Sequence, residues 1–215
     1  RPAYDDEIKP ILTPLLDQYI NKIISSNSNI IGFSLYLTNI LASMYMITEL
    51  KRLKPELTII VGGPESFNDW FQTLVEELGF DPNLIDYRIT GEGEQELLNL
   101  MENFKDNTSS EMITLGGFKS KLPLNDLPFP DYSDYNLYSY EYPDGASIET
   151  SRGCIAQCSF CAETWFWKYR WRASEKVIEE IKYQIEHYGA YRFWFVDSLA
   201  NGNLKEFKNL VELII

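Results

Sequence analysis

The fold is most constrained by a continuous apolar run, IIGFSLYL at residues 30–37, which lacks any alternation of polar and apolar side chains. Such runs are typical of strands that are buried on both faces of a parallel sheet. The apolar spacing then becomes helical in Met44, Ile47, Leu50 and Leu53. A second run, LTIIVGG at residues 57–63, predicts another buried strand that ends on two glycines. Strand, helix and strand in this order indicate a parallel sheet with a crossover helix.

The same alternation extends to both sides of these strands. Apolar spacing predicts a helix in residues 4–25, a helix at 67–78, a strand at 86–90 and a helix that opens within residues 91–104. Helices are therefore expected on both faces of the sheet. We predict the α/β class, with a Rossmann-like domain in residues 1–106 whose first strands are missing.

A second strand-and-helix series starts late in the chain. Residues 107–146 are rich in Pro, Asp and Tyr without sustained periodicity, which predicts an interdomain linker. Residues 147–215 are predicted to form the first two strand-helix units of a second domain, with strands at 146–150 and 191–196. The chain opens on Arg1 and its last helical pattern has no stop signal, so we expect a fragment of a longer protein.

The helix between the two late strands carries clear start and stop signals. Ser174 is predicted to cap its beginning and Gly189 to end it. The predicted buried face consists of Val177, Ile178, Ile181 and Ile185.

The charge distribution argues against nucleic acid as a partner. The formal net charge is −13, which repels a phosphate backbone. A local exception is formed by Lys168, Arg170, Arg172 and Lys176. These cations either contact an anionic ligand or are solvated near a helix end. No apolar run reaches the roughly 18 residues of a membrane span, so no membrane association is predicted.

All three cysteines lie within SRGCIAQCSFCAET, residues 151–164. Their odd number and the lack of a secretory signal argue against disulfides and predict a reducing, cytoplasmic location. Three thiolates from one loop leave a metal centre one ligand short of a closed tetrahedral site. Zinc would need a fourth ligand, and His187, the sole histidine, lies near the far end of the predicted helix. An iron–sulfur cluster with one open iron is the favoured interpretation.

The cysteine motif resembles the signature of radical S-adenosylmethionine enzymes. The resemblance implies that Cys154, Cys158 and Cys161 bind a 4Fe-4S cluster whose open iron binds S-adenosylmethionine. It also implies that an electron from the cluster cleaves the sulfonium to give a 5′-deoxyadenosyl radical. Phe160, just before the last cysteine, is then expected to lie against the adenine.

The resemblance also bears on the fold and on a second group of residues. It implies that residues 147–215 begin a partial (β/α)6 barrel, with the site at the carboxyl ends of the strands. Asp197 and Ser198, which follow the second strand, become candidate cofactor contacts. The alternative is that these two residues cap the next helix.

The first half resembles the cobalamin-binding domain that precedes the barrel in many of these enzymes. Candidate cofactor contacts follow three predicted strands, namely Ser34, then Gly62, Gly63 and Pro64, then Gly91, Glu92 and Gly93. Parallel sheets bind ligands at this edge, and small residues allow a macrocycle and its nucleotide tail to approach the backbone. The alternatives are an ordinary turn at the double glycine and a helix start that favours acidic residues at Glu92.

Together these features identify the chain as similar to a fragment of a cobalamin-dependent radical S-adenosylmethionine enzyme. The resemblance implies methyl transfer to an unactivated carbon of a small-molecule or peptide substrate, with an electron donor such as flavodoxin or ferredoxin. One alternative is a methylthiotransferase, although such enzymes carry three more cysteines in the leading domain and residues 1–153 contain none. The other is a non-catalytic cobalamin and iron–sulfur binding module.

Overall fold

The chain consists of two units, Arg1–Ser120 and Lys121–Ile215, which are called the first and the second unit below. The structure, a computed structural model, describes residues 9–67, 69–104, 112–117, 122–156, 158–161 and 168–215. Among these residues, no helix combines the length and the apolar character that a membrane span requires.

The part of the first unit that the structure describes contains a parallel four-stranded sheet. Its strands lie in chain order, as β1 (Ile30–Ser34), β2 (Thr58–Gly62), β3 (Tyr87–Thr90) and β4 (Ile113–Gly116). Its helices are α1 (Lys9–Ser25), α2 (Ile40–Leu53), α3 (Phe71–Glu77) and α4 (Gly93–Glu102). The predicted α/β class and the parallel sheet are confirmed, and the sheet is compatible with a Rossmann-like domain.

Strand β2 is covered on both faces, which explains why its apolar run does not alternate, whereas β1 is only partly covered and leaves Gly32 and Ser34 exposed. Ile59 and Val61 of β2 pack in one core cluster with Met44 of α2 and Phe71 of α3. Ile60, between them, packs in a second cluster to which Leu100 of α4 contributes. Because successive side chains of a strand point to opposite faces, a strand covered on both sides is apolar throughout.

Three details of the first unit differ from the sequence-based expectation. β1 ends at Ser34 instead of residue 37, because Asn39 holds the chain in a turn: its Nδ2 donates to Ser34 O (2.9 Å) and its Oδ1 accepts from Tyr36 N–H (2.8 Å). The predicted helix at 67–78 is shorter, since a 3₁₀ turn at Pro64–Phe67 precedes α3. β4 lies inside the predicted linker and pairs with β3. The domain boundaries stay a prediction.

In its described residues, the second unit has two short sheets and two helices. β5 (Gly145–Ile148) is parallel to β8 (Arg192–Phe195), and β6 (Ser151–Arg152) is antiparallel to β7 (Arg170–Trp171). The helices are α5 (Ser174–Tyr188) and α6 (Leu204–Ile214). A core cluster joins Ile148, Val177 and Leu210, with Phe193 packed against it. Two parallel strands are observed with helices packed against them, although β8 is partly exposed. The complete barrel stays a prediction.

Helix α5 departs from its predicted burial. Gly189 ends it in the left-handed conformation, as predicted. The predicted cap at Ser174 is wrong, because Ala173 occupies the cap position and Ser174 Oγ donates to Glu206 O instead (3.0 Å). Ile185 is 48% exposed and not part of the buried face, whereas Glu180 and Gln184 are buried. The helix is therefore rotated towards polar partners that the apolar spacing did not indicate.

Candidate functional site

The three cysteines lie on one loop of the second unit, residues 153–169, which we call the cysteine loop. The loop leaves β6 at Gly153, whose φ of 84° lies in the left-handed region that favours glycine. It returns in β7, where Trp171 pairs with Ser151 of β6. Strand pairing thus closes the loop at its base. Residues 157 and 162–167 lie outside the described residues.

The chemistry of the thiols fits an iron–sulfur cluster. None forms a disulfide; Cys158 is exposed, and Cys154 and Cys161 are half-buried. Ala156 N–H points to Cys154 Sγ (3.4 Å), and Cys161 N–H donates to Cys158 O (3.1 Å). Thiolates are the ligands that iron–sulfur clusters use. Within the described part of the chain, no three Cys, His, Asp or Glu side chains come close enough to hold a metal ion. Cluster binding by these cysteines stays a prediction.

Asp197, which follows β8, binds the chain just before the cysteine loop. Its Oδ1 accepts hydrogen bonds from Thr150 N–H (2.9 Å), from Thr150 Oγ1 (2.9 Å) and from Ser151 N–H. Thr150 and Ser151 are buried, so these donors would have no water to replace Asp197. The side chain therefore links the carboxyl ends of β5 and β8.

This role differs from the helix-cap alternative for Asp197. Helix α6 begins at Leu204, and Asn203 caps it by accepting from Glu206 N–H (3.3 Å). The cap alternative is therefore wrong. Asp197 Oδ2 is shielded from solvent and has no hydrogen-bond partner in the described residues. A cofactor contact through this oxygen stays a prediction.

The two other predicted contacts of the second unit are open to solvent. Phe160 is 90% exposed within the turn that joins Cys158 to Cys161. Ser198 is exposed as well. Their proposed contacts with S-adenosylmethionine are not tested by the structure.

The basic segment after the cysteines includes a buried ion pair that the sequence did not indicate. Arg172 Nη1 lies 2.5 Å from Glu180 Oε2 of α5, with both side chains almost fully buried. Burial raises the pKa of Glu180, while the hydrogen bond and the charge of Arg172 act in the opposite direction. Neither predicted role, ligand contact or solvated cation, describes Arg172. The sequence offered one indication of this pair: Glu180 follows Val177 by three residues and so lies on the apolar side of the helix.

The predicted contacts of the first unit meet at one edge of its sheet. Ser34 pairs with Gly62 across β1 and β2. Leu35 N–H donates to Gly62 O (2.7 Å), and Glu65 N–H donates to Leu35 O (3.1 Å). The turns that follow β1 and β2 are therefore connected through their backbones, with Pro64 beginning the 3₁₀ turn.

The two glycines of the β2 turn differ in whether the surrounding structure has space for a side chain. Gly63 has a φ of +90°, and a Cβ there would lie 2.8 Å from both Leu35 N and Leu35 O. The fold therefore requires glycine at this position. A Cβ at Gly62 would find its nearest atom, Ile89 O, only at 3.9 Å. Packing does not explain Gly62, so that position is the better candidate for close approach of a ligand.

The turn after β3 opens a helix, as predicted. Gly91 has a φ of +81°, and a Cβ there would lie 2.6 Å from Gly117 O. Glu92 is the residue before α4, which begins at Gly93 with Glu94 and Glu96 in its first turn. Acidic residues at this end of a helix are favoured by its dipole. A contact of Gly91, Glu92 and Gly93 with a nucleotide tail stays a prediction.

Sequence reasoning missed two residues that support the double-glycine turn. Ser66 is fully buried, and its Oγ lies within hydrogen-bonding distance of Gly63 O (2.8 Å) and Ile89 O (3.1 Å). Arg88 Nε donates to Ser66 O (2.6 Å), and burial lowers the pKa of Arg88. Ser66 therefore links the turn after β2 to β3. Neither residue belongs to a periodic pattern that would have identified it.

The chain is similar to three curated enzymes over most of its length, although no family model matches it. It is 25% identical over 229 residues to the cytidylyl-2-hydroxyethylphosphonate methyltransferase of Streptomyces wedmorensis, covering 85% of this chain and 42% of that protein. It is 27% identical over 202 residues to the anaerobic magnesium-protoporphyrin IX monomethyl ester cyclase of Cereibacter sphaeroides, covering 83% and 32%. The cyclase of the same name from Rubrivivax gelatinosus is 26% identical over 219 residues, covering 93% and 39%.

These relatives define a class of enzymes, methyltransferases and cyclases. Their similarity is consistent with the resemblance to a fragment of a radical S-adenosylmethionine enzyme. The chain spans between 32% and 42% of the length of the relatives named here. The activity of the whole protein is therefore a matter for proposal.

Proposed function

We propose that the chain is the cofactor-binding part of a cobalamin-dependent radical S-adenosylmethionine enzyme. The enzyme cleaves S-adenosylmethionine reductively and transfers a methyl group to an unactivated carbon. The observation that carries the proposal is the set of three cysteines, none of them in a disulfide, on one loop beyond a parallel strand. The similarity to a methyltransferase over 85% of the chain supports it.

The residues of the cysteine loop would hold the iron–sulfur cluster. Cys154, Cys158 and Cys161 are its ligands, and the bound cluster supplies the electron that cleaves S-adenosylmethionine. The protein contributes the position of the loop: Gly153 turns the chain out of β6, and Asp197 binds the residues before it. The exposed ring of Phe160 is available to cover the adenine.

The carboxyl edge of the first sheet would hold cobalamin. In the part of the chain that the structure describes, no protein atom fills the space where a side chain of Gly62 would lie, and Ser34 is next to it on the neighbouring strand. Tyr36, Leu37 and Leu41, on the turn after β1 and at the start of α2, are large apolar residues exposed to solvent. An apolar surface next to an unhindered backbone suits a flat macrocycle.

A ring-forming reaction is the second candidate, because two of the similar enzymes are named cyclases. Both candidates would use a small-molecule or peptide substrate and an electron donor such as flavodoxin or ferredoxin, in the cytoplasm. S-adenosylmethionine labelled in its methyl group separates the two reactions. Methyl transfer places the label in the product, whereas cyclisation leaves the product unlabelled.

The cluster assignment is tested by anaerobic reconstitution with iron and sulfide. We expect a 4Fe-4S spectrum in the wild-type chain that changes when S-adenosylmethionine is added. Cys154→Ala, Cys158→Ala and Cys161→Ala should each remove this spectrum. Phe160→Ala is the matched control, since it should keep the cluster and weaken only the response to S-adenosylmethionine. A wild-type cluster that never responds would favour the non-catalytic module instead.

The cobalamin assignment is tested by equilibrium binding of hydroxocobalamin, followed by absorbance. Gly62→Val should weaken binding at least tenfold while the fold is retained, because the first added atom has room. Leu53→Ala, at the exposed end of α2 and away from this edge, is the control and should bind like the wild type. Unchanged binding by Gly62→Val would exclude this edge as the cobalamin site.

A further inference from the structure

We propose that Arg172 and Glu180 are positioning residues that fix the geometry of the cysteine loop. They bind the end of the loop to the residues that precede its beginning. The inference rests on the proposed function in one respect, namely that the loop binds an iron–sulfur cluster.

Arg172 lies directly after β7 and makes three contacts that close the loop. Its backbone N–H donates to Thr150 O (2.8 Å). Its Nη1 donates to Glu149 O (2.9 Å) and lies 2.5 Å from Glu180 Oε2. The residue after β7 is therefore bound both to the chain before the loop and to helix α5.

The burial of this pair separates it from ordinary surface ion pairs. The side chains of Arg172 and Glu180 are 4% and 3% exposed, whereas those of Lys176 and Glu179, on the same helix, are 43% and 52% exposed. Buried ion pairs are often no more stabilising than apolar residues of similar size. Two apolar side chains could fill this space, but they could not bind the Glu149 carbonyl. The charged pair therefore holds the chain before the loop in position, which an apolar pair of the same volume would not do.

Asp197 is a second anchor, and it binds Thr150, the residue whose carbonyl Arg172 contacts. The N–H and the hydroxyl of Thr150 donate to Asp197, while its carbonyl accepts from Arg172. Thr150 itself is buried. The entrance of the loop is thus fixed to the end of β8, and its exit is fixed to α5. Metal sites whose ligands are held by surrounding hydrogen bonds retain their metal better than sites that must be ordered on binding.

The test compares two double variants of the full chain. Arg172→Met/Glu180→Leu removes the buried pair but keeps the volume and avoids an unpaired charge. Lys176→Met/Glu179→Leu removes the same charges from the exposed pair on the same helix. Both are reconstituted anaerobically with iron and sulfide, and the rate at which a chelator removes iron is measured together with thermal unfolding of the apoprotein.

We expect Arg172→Met/Glu180→Leu to lose iron about tenfold faster than the wild type. This is the lower end of the effect seen when residues that hold metal ligands in place are mutated. Its unfolding should stay near that of the wild type, and the exposed-pair control should lose iron at the wild-type rate. The reduced cluster of the variant should also show broadened electron paramagnetic resonance lines, which a loss of stability alone would not produce.

The possible failures are distinguishable. If the wild type assembles no cluster, the proposed function fails and the inference fails with it. If the wild type assembles a cluster and the buried-pair variant keeps iron equally well, only the inference is overturned. Should the double variant not fold, Arg172→Lys decides the question, because it keeps the charge and loses the planar guanidinium. A wild-type rate of iron loss in Arg172→Lys would then overturn the inference.

Discussion

The carboxyl edge of the first sheet and the base of the cysteine loop fix their turns in different ways. At the first sheet, backbone contacts backbone: Leu35 N–H donates to Gly62 O, and Gly63 has no space for a side chain. At the cysteine loop, charged side chains reach the backbone, from Asp197 on one side and from Arg172 on the other.

The difference follows from how much of each sheet is covered. All four residues of β3 are buried, so close packing helps to fix the turns of the first sheet, together with the side-chain hydrogen bonds of Asn39 and Ser66. In the second unit, β8 leaves Trp194 and Phe195 exposed, and its core cluster is small. Turns there depend on hydrogen bonds to charged groups. Substitutions that add side-chain atoms should therefore destabilise the first edge most. Substitutions that remove a charged side chain should destabilise the base of the cysteine loop most.

Removal of Glu180 should give the largest effect. Glu180→Ala leaves the buried charge of Arg172 without a partner, which costs about 3 to 5 kcal/mol in comparable sites. We expect this loss in the unfolding free energy of the second unit, measured by native-state hydrogen exchange of its amides. The amides of β1 to β3 should keep their protection. Glu179→Ala, at the exposed pair, should change stability by less than about 0.5 kcal/mol; an equal loss there would contradict the comparison.

Addition of one methyl group at Gly63 should disrupt the first edge. Gly63→Ala combines a left-handed backbone with overlap against the Leu35 backbone, and we expect a loss of about 3 kcal/mol. Gly62→Ala, one residue earlier, is the matched control and should stay within about 1 kcal/mol of the wild type. Urea unfolding of the two variants measures both. Similar values for the two glycines would show that packing does not distinguish them.

The Asp197 anchor is expected to have a smaller effect. Asp197→Ala leaves buried donors of Thr150 and Ser151 without an acceptor, which costs about 1 to 3 kcal/mol. Asp197→Asn should retain most of the stability, because only Oδ1 accepts these hydrogen bonds. If Asp197→Asn unfolds as easily as Asp197→Ala, the negative charge and not the position of the oxygen stabilises the turn. Thermal unfolding monitored by circular dichroism separates these outcomes.

The sequence predicted the parts of the molecule that depend on local pattern. Apolar patterns located β1 to β3, and helical spacing located α2 and α5, because the apolar residues of each element follow a local pattern in the sequence. The glycines at the carboxyl edge were also found. The role predicted for the double glycine, contact with a cofactor, was only part of the explanation. The fold itself requires glycine at Gly63, so only Gly62 stays a candidate for contact with a ligand.

Long-range polar contacts could not be predicted in the same way. Asp197 and Thr150 are far apart in the chain, and no spacing rule connects them. On α5, the apolar residues placed Ile185 inside, but the ion pair of Glu180 with Arg172 and the hydrogen bond of Gln184 to Pro130 O rotate the helix. β4 was missed because four residues between polar segments carry too weak a pattern.

The smallest predicted effect concerns an exposed side-chain anchor in the second unit. Tyr188 at the end of α5 donates a hydrogen bond to Asp131 Oδ1 (2.5 Å). This hydrogen bond lowers the pKa of Asp131 to about 2 and raises the pKa of Tyr188 to about 12. Both groups are open to solvent, so the contact should matter much less than the buried pair of Arg172 and Glu180.

Tyr188→Phe tests this anchor through the titration of Asp131. The pKa of Asp131 should rise towards its ordinary value of 3.8, as followed by carboxyl chemical shifts in nuclear magnetic resonance. Because the folded-state pKa of Asp131 is lowered, the hydrogen bond stabilises the wild type above the ordinary pKa, and this contribution is lost as the pH falls to about 2. The stabilities of variant and wild type should therefore converge at low pH. A difference that persists unchanged in acid would mean that Tyr188 acts by packing on Tyr132 and not through Asp131.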